Sequence, residues 1–213
     1  MYHIKLFNKI SESGLSHLDP ADFVYSEDAA EYDGIIVRSA ALHDVEFPAS
    51  LEAIARAGAG VNNIPVDACS QKGVVVFNTP GANANAVKEL VLAGLFLASR
   101  DIVGGIEWAH TLKGQQGVAK LVEKGKSSFV GPEIEGKTLG VIGLGAIGAM
   151  VANAAHSLGM DVYGYDPYMS VKSAWGVSRH VKHAKSLGEV YANCDYITIH
   201  VPLSGDTKGM LNK

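Results

Sequence analysis

Short, nearly all-apolar runs alternate along this chain with longer segments in which apolar residues recur every three to four positions. Runs of four to six apolar residues suit strands buried in a parallel sheet, and the longer period suits the helices that cover one. The pattern predicts early strands at Ile4–Phe7, Phe23–Tyr25 and Gly34–Ser39. After Pro48 it predicts a helix at Leu51–Ile54, leading into a small-residue strand through Ala57. Pro65–Gln71 reads as another helix, with Pro65 pre-set for its first turn and Gly73 just past its end. Val74-Val75-Val76-Phe77 has no polar residue and predicts a strand in a sheet covered on both faces.

Ala84–Val103 is the longest helical stretch. Val87, Leu90, Val91, Leu95, Phe96, Leu97 and Ile102 spread apolar character most of the way round it, which predicts burial between layers or domains. It reads as the connector between two domains. Ile106–Gly131 is polar and rich in Gly and Lys, with Trp108 and Phe129 as isolated anchors; a solvated linking arm is favoured over an arm docked on a second subunit. From Gly136 the alternation resumes, with strands at Leu139–Ile142, Val162–Tyr165, Arg179–Val181 and Asp195–Val201 and a helix at Ser186–Tyr191. Pro202, which has no N–H for a ladder, ends the last strand.

Strands alternating with helices define an α/β fold, two doubly wound parallel-sheet domains over residues 1–98 and 99–213. A complete dinucleotide-binding sheet needs about six strands. Four are visible after Gly136, so the second domain reads as truncated.

Composition narrows the function. The chain has 213 residues, 47% of them hydrophobic, which supplies core for two small domains. No apolar run reaches the roughly 20 residues that span a bilayer, and the N-terminus lacks a signal-peptide pattern, so the expectation is a cytoplasmic protein without a membrane partner. Cys69 and Cys194 stand far apart and read as two reduced thiols. A net charge of -4 with dispersed Lys and Arg argues against nucleic acid as a partner. Any anionic ligand must then be met by a local cluster.

The strongest chemical signal is Gly143-x-Gly145-x-x-Gly148, which follows the strand Leu139–Ile142 and opens a helix from Ala149. The first glycine allows the tight turn, the second lets backbone approach a pyrophosphate, and the third lets helix pack on strand. The amides and positive end of that helix face the phosphates. Asp166 stands 18 residues beyond Gly148, at the tip of the next strand, placed to accept hydrogen bonds from ribose hydroxyls and to repel a 2′-phosphate. The cofactor implied is NAD.

Arg38 ends one strand of the first domain, and Arg56 opens a second glycine turn, Gly58-Ala59-Gly60. Ligands of parallel sheets bind at the carboxyl ends of strands. Either arginine alone reads slightly better as a strand-end cover paired with an acid; the pair beside a glycine turn favours an anion site. His180-x-x-His183 reads as a solvated pair, since no third ligand accompanies it, and no metal is expected. His200 ends a strand on the cofactor side with no carboxylate to tune it, and reads as a cofactor-shelf residue.

Taken together, Val37-Arg38-Ser39-Ala40, the stretch Arg56–Asn63, Val76–Asn83, Val87-Lys88-Glu89-Leu90, the glycine fingerprint and Cys194–Leu203 resemble the D-isomer-specific 2-hydroxyacid dehydrogenases, and among them those acting on 3-phosphoglycerate. The resemblance implies a flavodoxin-like substrate domain, a Rossmann NAD domain, and oxidation of 3-phospho-D-glycerate at C2 as the first step of serine biosynthesis. Alternatives are another D-2-hydroxyacid as substrate, or a non-catalytic NAD-binding fragment. By position, Arg38 and Arg56 would hold the substrate's anionic groups, and Gly58, Ala59 and Gly60 its carboxylate. Gly143, Gly145, Ala146, Ile147 and Gly148 would cradle the pyrophosphate. Asp166 would hold the ribose, and His200, Val201, Pro202 and Thr207 would line the adenosine site. Ala146 departs from the family, where arginine is frequent. The family's catalytic Arg, Glu and His come from segments later than Lys213, so the 213-residue chain alone is expected to be inactive, and a homo-oligomer, dimer or tetramer, is expected for the protein.

Overall fold

The computed structural model describes residues 1–212; Lys213, the end of the expected second domain, lies outside the described residues. The chain forms two compact units, Met1–Asn83 and Ala84–Lys213. The first contains β1 (Tyr2–Phe7), α1 (Glu12–Leu15), β2 (Phe23–Ser26), β3 (Gly34–Val37), β4 (Ala53–Arg56), α2 (Val66–Gln71) and β5 (Val75–Asn78). All neighbouring strands are parallel, in the order β2-β1-β3-β4-β5. Ile35, Val37 and Ile54 are fully buried and share a core cluster with Leu42 and Cys69. Each such aliphatic side chain contributes roughly 1.5–3 kcal/mol by leaving water.

Two expectations change here. Leu51–Ile54 is not a helix: Ala53–Arg56 is β4, in which Ile54 pairs with Ile35 on one side and Val76 on the other. Four residues are too short a window for periodicity to separate helix from strand. The all-apolar run at Val75–Phe77 is the sheet edge, with Val75 52% and Phe77 58% exposed, so its composition does not signal cover on both faces.

The second unit contains α3 (Ala84–Ser99), α4 (Ile102–Thr111), α5 (Val118–Gly125), β6 (Thr138–Ile142), α6 (Ala146–Ser157), β7 (Asp161–Tyr165), α7 (Val171–Trp175), β8 (Lys182–His183), α8 (Leu187–Asn193) and β9 (Tyr196–Ile199). Its parallel sheet has the order β8-β7-β6-β9. Leu139, Val141, Val151, Ala152 and Val162 form the core together with Leu95 of α3. Ser99 at the end of α3 is buried, and its hydroxyl meets the Tyr196 phenol at 2.8 Å. Packing therefore assigns α3 to the second unit, and the division falls ahead of this helix rather than after residue 98.

The expected helix Ala84–Val103 breaks where the Asp101 carboxylate accepts the Gly104 amide at 3.0 Å and starts α4 as an N-cap. Nor is α3 sheathed in protein: Leu95 is buried, but Leu90 is 75% exposed. The expected linking arm is largely helical, and its two aromatics pack against each other, Trp108 tilted on Phe129 with ring centroids 5.0 Å apart. β8 lies at Lys182–His183, three residues beyond the start of the expected strand, where its backbone can pair with Tyr163 and Gly164.

Candidate functional site

At the carboxyl ends of β6, β7 and β9 a cavity of about 520 Å³ opens, lined among others by Gly143, Gly145, Asp166, His200, Val201, Pro202 and Thr207. Strand order reverses at β6, because β7 and β8 lie on one side and β9 on the other. Such a switch point is where open α/β sheets form a ligand crevice.

The three strand ends are tied together by backbone. The Gly143 amide donates to Tyr165 O at 2.8 Å, and the His200 amide donates to Ile142 O at 2.8 Å. Gly143 has φ 88°, a left-handed conformation that favours glycine, and a Cβ there would press on Val201 and the His200 carbonyl. A Cβ on Gly148 would collide with the Gly143 carbonyl, so this glycine sets the helix against the turn. At Gly145 an added Cβ meets nothing within 4 Å. That open space suits a group approaching the backbone from outside. The first bond of α6 runs from the Ala149 amide to Gly145 O at 3.0 Å, which leaves the amides of Ala146, Ile147 and Gly148 ahead of the helical ladder and available to an anion.

The Asp166 carboxylate accepts the Leu144 amide at 2.8 Å on one oxygen and the Tyr168 amide at 2.9 Å on the other. It thereby fixes the glycine turn to the end of β7 and keeps lone pairs for further donors. His200 is half-buried, and its Nε2 lies 2.9 Å from the Thr198 hydroxyl; burial pushes its pKa below the ordinary value. Thr207 donates to Pro202 O and accepts the Ser204 amide, each at 2.7 Å, closing the turn after β9. Ala146, Ile147 and Gly148 do not line this cavity; Ala146 faces a smaller one beside Gly145 and Ser173. Sequence reasoning missed Tyr168 and Met210, which line the main cavity. Tyr168 carried a signal, standing two residues past Asp166; Met210 carried none.

In the first unit Arg38 directly follows β3 and Arg56 ends β4, adjacent parallel strands. Arg56 Nε donates to Arg38 O at 3.0 Å. A side chain on Gly58 would run into the Arg56 guanidinium, so the glycine makes room for it. The Gly58–Gly60 turn is held by the Thr79 amide on Gly58 O at 2.9 Å and by the Asn78 side chain on Ala59 O at 2.7 Å. Among the described residues the ion pairs are His3–Asp33, Lys126–Glu123 and Lys182–Asp161, so neither arginine is spent on an acid. Asn8, at φ 70°, accepts the amides of Ser39 and Ala40 at 2.8 and 2.7 Å and fixes the backbone behind Arg38.

A glycine turn opening a helix, an acid at the next strand tip and a crevice at the switch point define a dinucleotide-binding α/β domain. The sequence pattern of the family described as D-isomer specific 2-hydroxyacid dehydrogenase, NAD binding domain, matches residues 95–213. The chain belongs to that family, and its cofactor is NAD. It is 31% identical to the D-3-phosphoglycerate dehydrogenase of Bacillus subtilis over 100% of this chain and 40% of that protein. It is 34% identical to the human D-3-phosphoglycerate dehydrogenase over 95% of this chain and 37% of that one. The NAD+-bound 3-phosphoglycerate dehydrogenase of Entamoeba histolytica superposes with a TM-score of 0.64 at 26% identity, covering 97% of this chain and 64% of that structure. The chain thus spans about two fifths of the length of these curated relatives.

Proposed function

We propose that the protein carrying this chain oxidises 3-phospho-D-glycerate at C2, with NAD as hydride acceptor, to give 3-phosphohydroxypyruvate, NADH and a proton. This is the first step of serine biosynthesis. The observation that carries the reading is the pair Arg38 and Arg56, unspent on acids, beside the Gly58–Gly60 turn at the carboxyl ends of β3 and β4. Guanidinium groups suit a ligand that bears both phosphate and carboxylate. Arg38 and Arg56 hold those anionic groups, and the amides of Gly58, Ala59 and Gly60 hold the carboxylate.

Gly143, Gly145, Ala146, Ile147 and Gly148 present backbone to the pyrophosphate of NAD. Asp166 takes ribose hydroxyls on its remaining lone pairs and disfavours a 2′-phosphate. His200, Val201, Pro202 and Thr207 line the adenosine side.

His200 does not act as the base in this reading: its Nε2 is engaged by Thr198, and the His–carboxylate contact among the described residues is His3–Asp33, in the other unit. In this reading the 213 residues alone do not carry out hydride transfer. We also read the exposed apolar side chains of α3 and α4, among them Leu90, Val103 and Ile106, as a self-association surface of a cytoplasmic homo-oligomer.

The test is a steady-state assay of the intact protein with 3-phospho-D-glycerate, D-glycerate and D-lactate. A preference for the phosphorylated acid that collapses in Arg38→Ala/Arg56→Ala supports the reading. Equal turnover of all three acids, unmoved by that double substitution, makes the protein a dehydrogenase for another D-2-hydroxyacid.

A further inference from the structure

Strand order in the first unit also reverses, at β1: β2 lies on one side, and β3, β4 and β5 follow on the other. By the same geometric rule as in the second unit, a crevice is expected where the loops after β1 and β3 part. One is present. A cavity of about 600 Å³ is lined by Lys9, Ile10, Ser11 and Gly14 after β1, by Arg38 after β3 and by Ala57 after β4.

The chemistry of its wall is one-sided. Lys9 and Arg38 are both exposed and line the same cavity, no acidic residue lines it, and no carboxylate pairs with either cation among the described residues. Ser11 adds a hydroxyl. Two cations left together beside a hydroxyl repel each other unless an anion lies between them. The geometry is held rather than incidental, because Asn8 sits in a left-handed conformation between β1 and Lys9 and grips the two amides that follow Arg38.

We infer that Lys9, Ser11 and Arg38 form a phosphate-monoester subsite, in which Lys9 selects the phosphorylated substrate over its unphosphorylated counterpart. This rests on the proposed function. Arg38 and Lys9 take the phosphate, a guanidinium supplying a planar fork and an ammonium a point charge, while Arg56 and the glycine turn keep the carboxylate. A dianionic phosphate gains more from a second cation than a hydroxyl does, so Lys9 is a specificity-determining residue.

Binding of 3-phospho-D-glycerate, D-glycerate and inorganic phosphate to the intact protein is measured by calorimetry for the parent, Lys9→Ala, Lys9→Arg and Ser11→Ala. Lys9 is exposed, so Lys9→Ala should melt with the parent. The expected result is a loss of about tenfold or more in affinity for 3-phosphoglycerate and for inorganic phosphate in Lys9→Ala. D-glycerate should change by less than about twofold, and Lys9→Arg should recover most of the loss. An equal loss for both acids, or none, overturns the subsite and leaves 3-phosphoglycerate as the substrate. Lys9-dependent binding of inorganic phosphate without preference for 3-phosphoglycerate keeps the subsite and overturns the proposed substrate. Failure of the parent to take either phosphate compound overturns the subsite.

Discussion

The carboxylate of Asp166 holds the backbone amide of Leu144 at 2.8 Å, so the acid at the tip of β7 builds the glycine turn that it faces. A residue expected only to touch the ribose thus also shapes the backbone beside it. Asp166→Asn keeps the size but offers one acceptor oxygen where two are in use. A charge-assisted hydrogen bond contributes about 1.5–3 kcal/mol, so NAD affinity should fall at least about tenfold, with discrimination against NADP reduced. Titration of both cofactors checks this; unchanged NAD affinity would show that the turn stands without the carboxylate.

Two glycines of the fingerprint should fail in different ways. Gly148→Ala drives a methyl into the Gly143 carbonyl and should cost about 1–3 kcal/mol of stability. Gly145→Ala meets open space, so the fold should persist while NAD binding is lost to the methyl where phosphate approaches. Thermal melts paired with NAD titrations separate the two outcomes.

Burial holds the His200 imidazole below its ordinary value of 6.5. The folded protein then binds fewer protons than the unfolded chain between the lowered value and about 6.5, so stability rises with pH through that window and is lost as pH falls through it. Melting temperatures on either side of the window should differ less in His200→Asn than in the parent. An identical drop in both would remove His200 as a source of the acid sensitivity.

The hydroxyl of Ser99 has partners in both Leu95 O at 2.7 Å and the Tyr196 phenol at 2.8 Å, which ties α3 to β9. Ser99→Ala leaves the phenol short of a partner and should destabilise by about 1–2 kcal/mol. Ser99→Ala/Tyr196→Phe removes both groups and should cost less than the sum of the single changes, measured by denaturant unfolding.

Much of the second unit was legible because its signal lies in spacing along one strand–turn–helix, from Leu139 through Gly148 to Asp166. The residues Val201, Pro202 and Thr207 were placed by resemblance, and the fold gathers them at the same cavity. Leu51–Ile54 misled because burial of Ile54 between two strands depends on partners distant in sequence. Lys9 was invisible for the same reason: nothing near it announces that β1 and β3 lie side by side, and only that adjacency brings it to Arg38. The break at Asp101 was readable in principle, since an aspartate before an apolar run is an N-cap signal. An unbroken apolar period outweighed it.

The edge strand β5 has a consequence for how the isolated chain behaves in the tube. Val75 and Phe77 are exposed beside a ladder whose outer backbone groups meet no strand among the described residues. As the solution is concentrated, a neighbour's strand becomes the nearest available partner, and clear samples should turn turbid through intermolecular sheet growth. Lysine in place of Val75 puts a charge on that edge and should keep the solution clear, which makes light scattering during concentration a direct measure of how sticky this border is.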